Sequence, residues 1–92
     1  KVPPSGDDKT SLLISARDRA GALLEILAPF AKHNISLTSI ETRPALPEKW
    51  AYVFFIDLEG HVEQENVKAA IEEIRPLVKE VRVLGSYPIA VL

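Results

Sequence analysis

The stretch WAYVFFIDLE, residues 50–59, decides the fold. Trp50, Tyr52, Phe54, Ile56 and Leu58 fall on one side of an extended chain, and Ala51, Val53, Phe55, Asp57 and Glu59 on the other. A period of two is the signature of a β-strand. The wholly apolar side is the core side, and the mixed side is the outer one.

Working outward, TSLLISA (residues 10–16) repeats the pattern with Leu12, Ile14 and Ala16 in phase, which gives a first strand. RDRAG (17–21) is a loop. Leu23, Ile26, Leu27 and Phe30 then follow at i, i+3, i+4 and i+7, one face of a helix over 21–33. Pro29 breaks the local rule, because it removes one backbone hydrogen bond, so a kink or shortened bonding is expected near residue 25. His33 and Asn34 end the helix, with Asn34 tolerant of a left-handed backbone. Residues 35–43 form a second strand, and ALPEK (45–49) is a polar loop before the third. Gly60 and His61 turn the chain. Val67, Ile71 and Ile74 mark a second helix over 63–74, supported by a Lys68–Glu72 pair and stopped by Pro76. Val81 and Val83 belong to a fourth strand, followed by GSYP (85–88) and a short apolar tail. KVPPSGDDK (1–9) reads as a linker or flexible end, leaving 10–92 as a single domain.

The order βαββαβ, with helical crossovers, gives an α+β, ferredoxin-like domain. Its sheet has four antiparallel strands, with two helices on one face. The second and fourth strands take the edges. The face away from the helices is expected to carry Leu13, Val53, Phe55, Ile40 and Leu84, an apolar patch of the kind that marks an interface.

Composition excludes several classes. The chain has 92 residues, 47% of them hydrophobic, a formal net charge of −2 and no cysteine. Disulfides, thiol nucleophiles and Cys-based metal sites are ruled out. The acidic balance argues against a nucleic-acid partner. No apolar run reaches the length of a membrane span, so no membrane role is expected, and the reading is cytoplasmic or plastid. His33 and His61 have no Asp, Glu or His at ligand spacing, so no metal or other cofactor is expected, and both histidines read as solvated element ends. No Ser or Thr stands in a nucleophile-elbow pattern. Two enzyme-like or binding-like analogies are weak: an RNA-binding sheet would need basic residues beside its aromatics, and an acylphosphatase-like site would need an Asn on a strand near Arg17 or Arg19.

Two stretches remain that chemistry could use. Gly21 at the start of the first helix leaves free N–H groups that can hold a carboxylate, unless the turn is a plain one capped by Asp18. IETRP (40–44) places Glu41 and Arg43 around Thr42 and ends on Pro44. A surface salt bridge, a strand-end device and a ligand site all fit it.

Together, GAL (21–23) and ETRP (41–44) resemble the paired GAL and ESRP motifs of the ACT domain that regulates prephenate dehydratase. DKTSLLIS (8–15), ISLTSIETRP (35–44), WAYVFFIDLEGH (50–61) and LGSYP (84–88) extend the resemblance over nearly the whole chain. The resemblance implies a regulatory domain without catalytic residues. Its effector would be L-phenylalanine, bound where two such domains pair side by side as a homodimer. It would act by feedback inhibition on a prephenate dehydratase catalytic domain, in some proteins fused to chorismate mutase. It also implies the site: Ala20, Gly21, Ala22 and Leu23 at the loop, Ser36, Leu37 and Thr38 from across the interface, and Glu41, Thr42, Arg43 and Pro44 at the strand end. Thr42 stands where the family has Ser, Ala20 where Pro is common, and Ser36 where Asn is common. A ligand-free dimerisation module is one alternative. The phenylalanine-activated regulatory domain of an aromatic amino-acid hydroxylase is another.

Overall fold

A computed structural model describes residues 8–17, 20–44 and 51–88. The elements run β1 (Asp8–Arg17), α1 (Ala22–Lys32), β2 (Leu37–Pro44), β3 (Ala51–Glu59), α2 (Glu65–Ile74), a 3₁₀ turn (Arg75–Leu77) and β4 (Glu80–Pro88). The sheet order is β2-β3-β1-β4, and every neighbour is antiparallel. This is the expected βαββαβ plan, with β1 and β3 central. Residues 1–7 of the expected linker lie outside the described residues, whereas Asp8 and Lys9 already belong to β1.

The alternation that suggested the strands also sets the core. Leu12 and Ile14 of β1 pair with Ile56 and Phe54 of β3. All four pack with Ile26 and Phe30 of α1 and with Val67, Ala70, Ile71 and Ile74 of α2. Trp50 lies outside the described residues.

Pro29 does not interrupt α1, which runs unbroken over eleven residues with Pro29 buried inside it. The end of the helix is secured by its backbone. Asn34 is left-handed (φ 58°), its N–H reaches Ala31 O at 3.1 Å, and Ile35 N–H reaches Phe30 O at 2.8 Å. That pair of bonds is a Schellman motif, and buried Phe30 and Ile35 supply its apolar contact.

Four local readings change. Lys68 pairs with Glu63 (3.8 Å) and Glu72 with Arg75 (2.9 Å), not with each other. GSYP is strand: β4 continues to Pro88 past a bulge, because Leu12 pairs with Val83 and Ser11 with Gly85, leaving Leu84 as the extra residue. Ile40 pairs with Ile56 and so lies on the helix side of the sheet. His61 is fully buried rather than solvated, its Nδ1 accepting the Glu63 N–H at 3.0 Å.

The bulge phases Ser86 onto Thr10. Thr10 Oγ1 donates to Gly60 O at 2.6 Å and lies 2.7 Å from Ser86 Oγ, which accepts the Val62 N–H at 3.1 Å. This buried hydroxyl pair ties β1, β4 and the β3–α2 turn together at one end of the sheet. The other end, where α1 begins, is thereby left for a site.

The two helices are linked at their exposed sides by His33 and Lys32 of the α1 end, both bonded to Glu73 of α2, Lys32 at 3.2 Å. The His33 hydrogen bond first, then that of Lys32, holds the Glu73 carboxyl below its ordinary value of 4.5. A depressed folded-state pKa contributes stability above the ordinary value and loses it as pH falls through the folded one. Glu73→Gln is therefore expected to lower the melting midpoint at pH 7, with the gap to the wild type closing below pH 4.5 in a series of thermal melts.

Candidate functional site

At the end of the sheet away from the Thr10–Ser86 pair, α1 starts abruptly. Its N-cap is Gly21, in the left-handed region at φ 82°, and no side chain caps the helix. Asp18, the cap expected from sequence, lies outside the described residues. Glu25 N–H bonds back to Gly21 O at 3.0 Å, so the backbone N–H groups of Ala22, Leu23 and Leu24 head the helix without a capping side chain. Such a terminus carries partial positive charge and favours an anion. A Cβ built on Gly21 meets nothing within 4 Å. Glycine is needed there for the backbone sign of φ, not for want of space within the chain.

A cleft of about 270 Å³ lies beside this terminus, lined by Gly21, Ala22, Leu23, Leu24, Thr42, Tyr52 and Phe54. The register explains the grouping. Thr42 of β2 pairs with Phe54 of β3, and Pro44 with Tyr52, so all four lie on the helix side of the sheet. Because β2 is an edge strand, the cleft is open along that edge. Leu23, Leu24 and Ile40 stand exposed around it, Leu24 at 71%.

The structure brings together four of the residues implied by the resemblance, Gly21, Ala22, Leu23 and Thr42, in one cleft. Ala20 sits exposed in the turn before it. Glu41 and Arg43 point to the other side of the sheet, as the strand period requires. There they pair with each other at 2.9 Å, and the Arg43 guanidinium lies 5.7 Å from the centre of the Phe55 ring. Pro44 closes the strand. Leu37 and Thr38 begin β2 at its opposite end, with Ser36 just before it; Ser36 O accepts the Glu59 N–H at 2.9 Å and Thr38 Oγ1 donates to Asp57 O at 3.3 Å. Thr38 and Thr42 are four steps apart along the strand, roughly 13 Å. Within one chain these three residues do not reach the cleft.

Leu24, Tyr52 and Phe54 line the cleft and were not foreseen as site residues. The two aromatics read simply as core. Their signal was positional: the strand end that pairs with Thr42 and Pro44 has core on one side and the helix start on the other.

Chemically, the cleft offers backbone donors at one wall, a hydroxyl at Thr42 and an aromatic floor. It suits a small molecule with a carboxylate and an apolar body. Among the described residues, no group of three or more His, Cys, Asp or Glu could hold a metal ion. No helix of the described residues is long and apolar enough to cross a membrane.

Comparison with known proteins gives the lineage. The chain is 52% identical over 92 residues to the bifunctional chorismate mutase/prephenate dehydratase of Pseudomonas aeruginosa, covering 100% of this chain and 25% of that protein. It thus spans about a quarter of the length of the curated relatives it matches. A solved prephenate dehydratase from Arthrobacter aurescens, in complex with L-Phe, is similar with a TM-score of 0.88 at 35% identity, covering 96% of this chain and 29% of that one. GqqA, described as a novel type of quorum quenching acylase, is similar with a TM-score of 0.91 at 28% identity, covering 97% of this chain and 46% of that one. The family model of the ACT domain matches residues 10–76. On that match, and on the βαββαβ sheet that carries it, the chain belongs to the ACT domain family.

Proposed function

We propose that this ACT domain senses L-phenylalanine and is the regulatory part of a prephenate dehydratase, with feedback inhibition as the outcome of binding. The observation that carries the reading is the cleft that joins the uncapped start of α1 to Thr42, Tyr52 and Phe54. The names of the relatives and the L-Phe complex of the Arthrobacter aurescens neighbour support it.

In this reading the ligand carboxylate meets the N–H groups of Ala22 to Leu24, and charge-assisted bonds of that kind are the strong ones. Its ring lies on Tyr52 and Phe54 and against Leu23. Its ammonium takes acceptors from a second copy across the β2 edge. Antiparallel pairing of two β2 edges about Ile40 sets Thr42 opposite Thr38 of the second copy, and Pro44 opposite Ser36 of the second copy. Residues that lie far apart in one chain then frame one ligand. Two ligands bridging two domains favour one paired arrangement, and inhibition follows where that arrangement is linked to an inactive catalytic domain. A coupling of about 1–3 kcal/mol is the usual scale.

The test is ligand-dependent melting of the chain. At about ten times its dissociation constant, a ligand adds about 1.4 kcal/mol to the folded state. For a domain of this size that is a rise of roughly 6–11 °C in the midpoint. L-Phenylalanine is expected to give such a rise and L-aspartate none at equal concentration. A flat response to L-phenylalanine up to tens of millimolar would leave only a pairing module.

A further inference from the structure

The face of the sheet turned away from both helices carries a second pattern, independent of the cleft. Cross-strand partners form rows from β2 to β4. One row reads Glu41, Phe55, Leu13, Arg82, and the next reads Arg43, Val53, Ser15, Glu80. The middle of these two rows is apolar and half-buried, with Phe55, Leu13 and Val53, and the adjoining row carries Asp57, which accepts a hydrogen bond from Ser11 Oγ at 2.6 Å. Its edges are charged, with Glu41–Arg43 bonded at 2.9 Å on one side and Glu80–Arg82 at 2.8 Å on the other. The signs are opposed both along each edge and across each row.

We infer that this open face pairs with the same face of a second copy of the chain, related by a two-fold axis lying between the two sheets. An axis along the strands sets Glu41 over Arg82 of the second copy, Arg43 over its Glu80, and Phe55 over its Leu13. An axis across the strands sets Glu41 over Arg43 of the second copy, Glu80 over its Arg82, and Phe55 over its Val53. Either way each of these four edge charges meets its opposite, and both ion pairs become part of four-membered networks. Self-complementarity of this kind is what an isologous contact requires. A partner with one sign of charge would be attracted by half of each edge and repelled by the other half.

Packed sheets lie about 10 Å apart with strand directions within about 30°. Four strands spaced about 4.8 Å make a face roughly 20 Å wide. With a length of roughly 25 Å, pairing buries about 500 Å² per copy, or about 1,000 Å² in all, at the low end for a specific contact. The pairing is thus weak alone and gains when copies are already joined elsewhere. The cleft opens on the other side of the sheet, so both surfaces can be engaged at once.

Sedimentation equilibrium of the chain at low salt, up to millimolar concentration, tests this. Arg82→Glu places like charges together under either axis, and Ser15→Lys puts a cation into the centre of the face without removing any apolar group. Both sites are outside the core, and circular dichroism checks that both variants fold. The expected result is that each variant has half the mass of the wild type, whether dimer falls to monomer or tetramer to dimer. Equal masses for the wild type and either folded variant overturn the inference, and assign the face to another domain of a longer chain or to no partner.

Discussion

Gly21→Val is expected to weaken L-phenylalanine binding by about a hundredfold or more. Two causes act on the same wall of the cleft. Gly21 sits at φ 82°, where an L side chain costs about 1–2 kcal/mol and a β-branched one more. The backbone relieves this by leaving the left-handed region, which turns the first N–H groups of α1 away from the carboxylate. Hydrogen bonds to a charged group contribute roughly 1.5–3 kcal/mol each, so losing one or two accounts for the expected factor. The space around Gly21 is open, so the new side chain also stands where the ligand approaches. Titration of the variant beside the wild type reads the loss, and melting without ligand reads the backbone cost separately. Binding equal to that of the wild type removes Gly21 from the site.

Gly60→Ala is expected to lower the melting midpoint by about 10–30 °C. Gly60 has φ 124°, outside the range of ordinary residues. A Cβ there lies 2.7 Å from Gln64 Oε1 and 3.0 Å from Val67 Cγ2. Gln64 Oε1 already accepts the His61 N–H at 2.9 Å, so moving it breaks a bond in the turn. Val67 is fully buried in the core and cannot give way cheaply. Strain and overpacking together cost about 2–4 kcal/mol. For a domain of this size, 1 kcal/mol is worth about 4–8 °C. A drop under about 3 °C in differential scanning calorimetry would show that the turn relaxes around the new methyl group.

The contrast between the two glycines explains what the sequence could tell. Both mark turns, and both were legible as such. Only the fold sets Gly60 against Gln64 and Val67 whereas Gly21 faces open space. The same holds for the strands. The period-two runs at 10–16 and 50–59 placed β1, β3 and the core correctly, because one face of the second is wholly apolar and one face of the first is apolar apart from Thr10. β2 and β4 are edge strands with weaker alternation, and bulges shift their phase at Thr38 and Leu84. Ile40 therefore went to the wrong face, and GSYP was placed after the fourth strand although its Ser86 is bonded to Thr10 inside the sheet.

The site was legible in part. The motif resemblance linked residues 21–23 to residues 41–44 across the chain, which no local pattern does. Strand period alone would have split the second stretch, with Thr42 facing the helix start and Glu41 and Arg43 facing away. The ambiguity of IETRP resolves along that split. The salt bridge exists, on the open face, and Thr42 alone of the four lines the cleft.

The proposed function rests on binding of an aromatic amino acid between the start of α1 and the edge of the sheet. Calorimetric titration of the chain with L-phenylalanine tests it most directly. Saturable heat with one ligand per chain is expected, and its loss in Gly21→Val. No heat at millimolar ligand, from a chain shown to be folded, contradicts it.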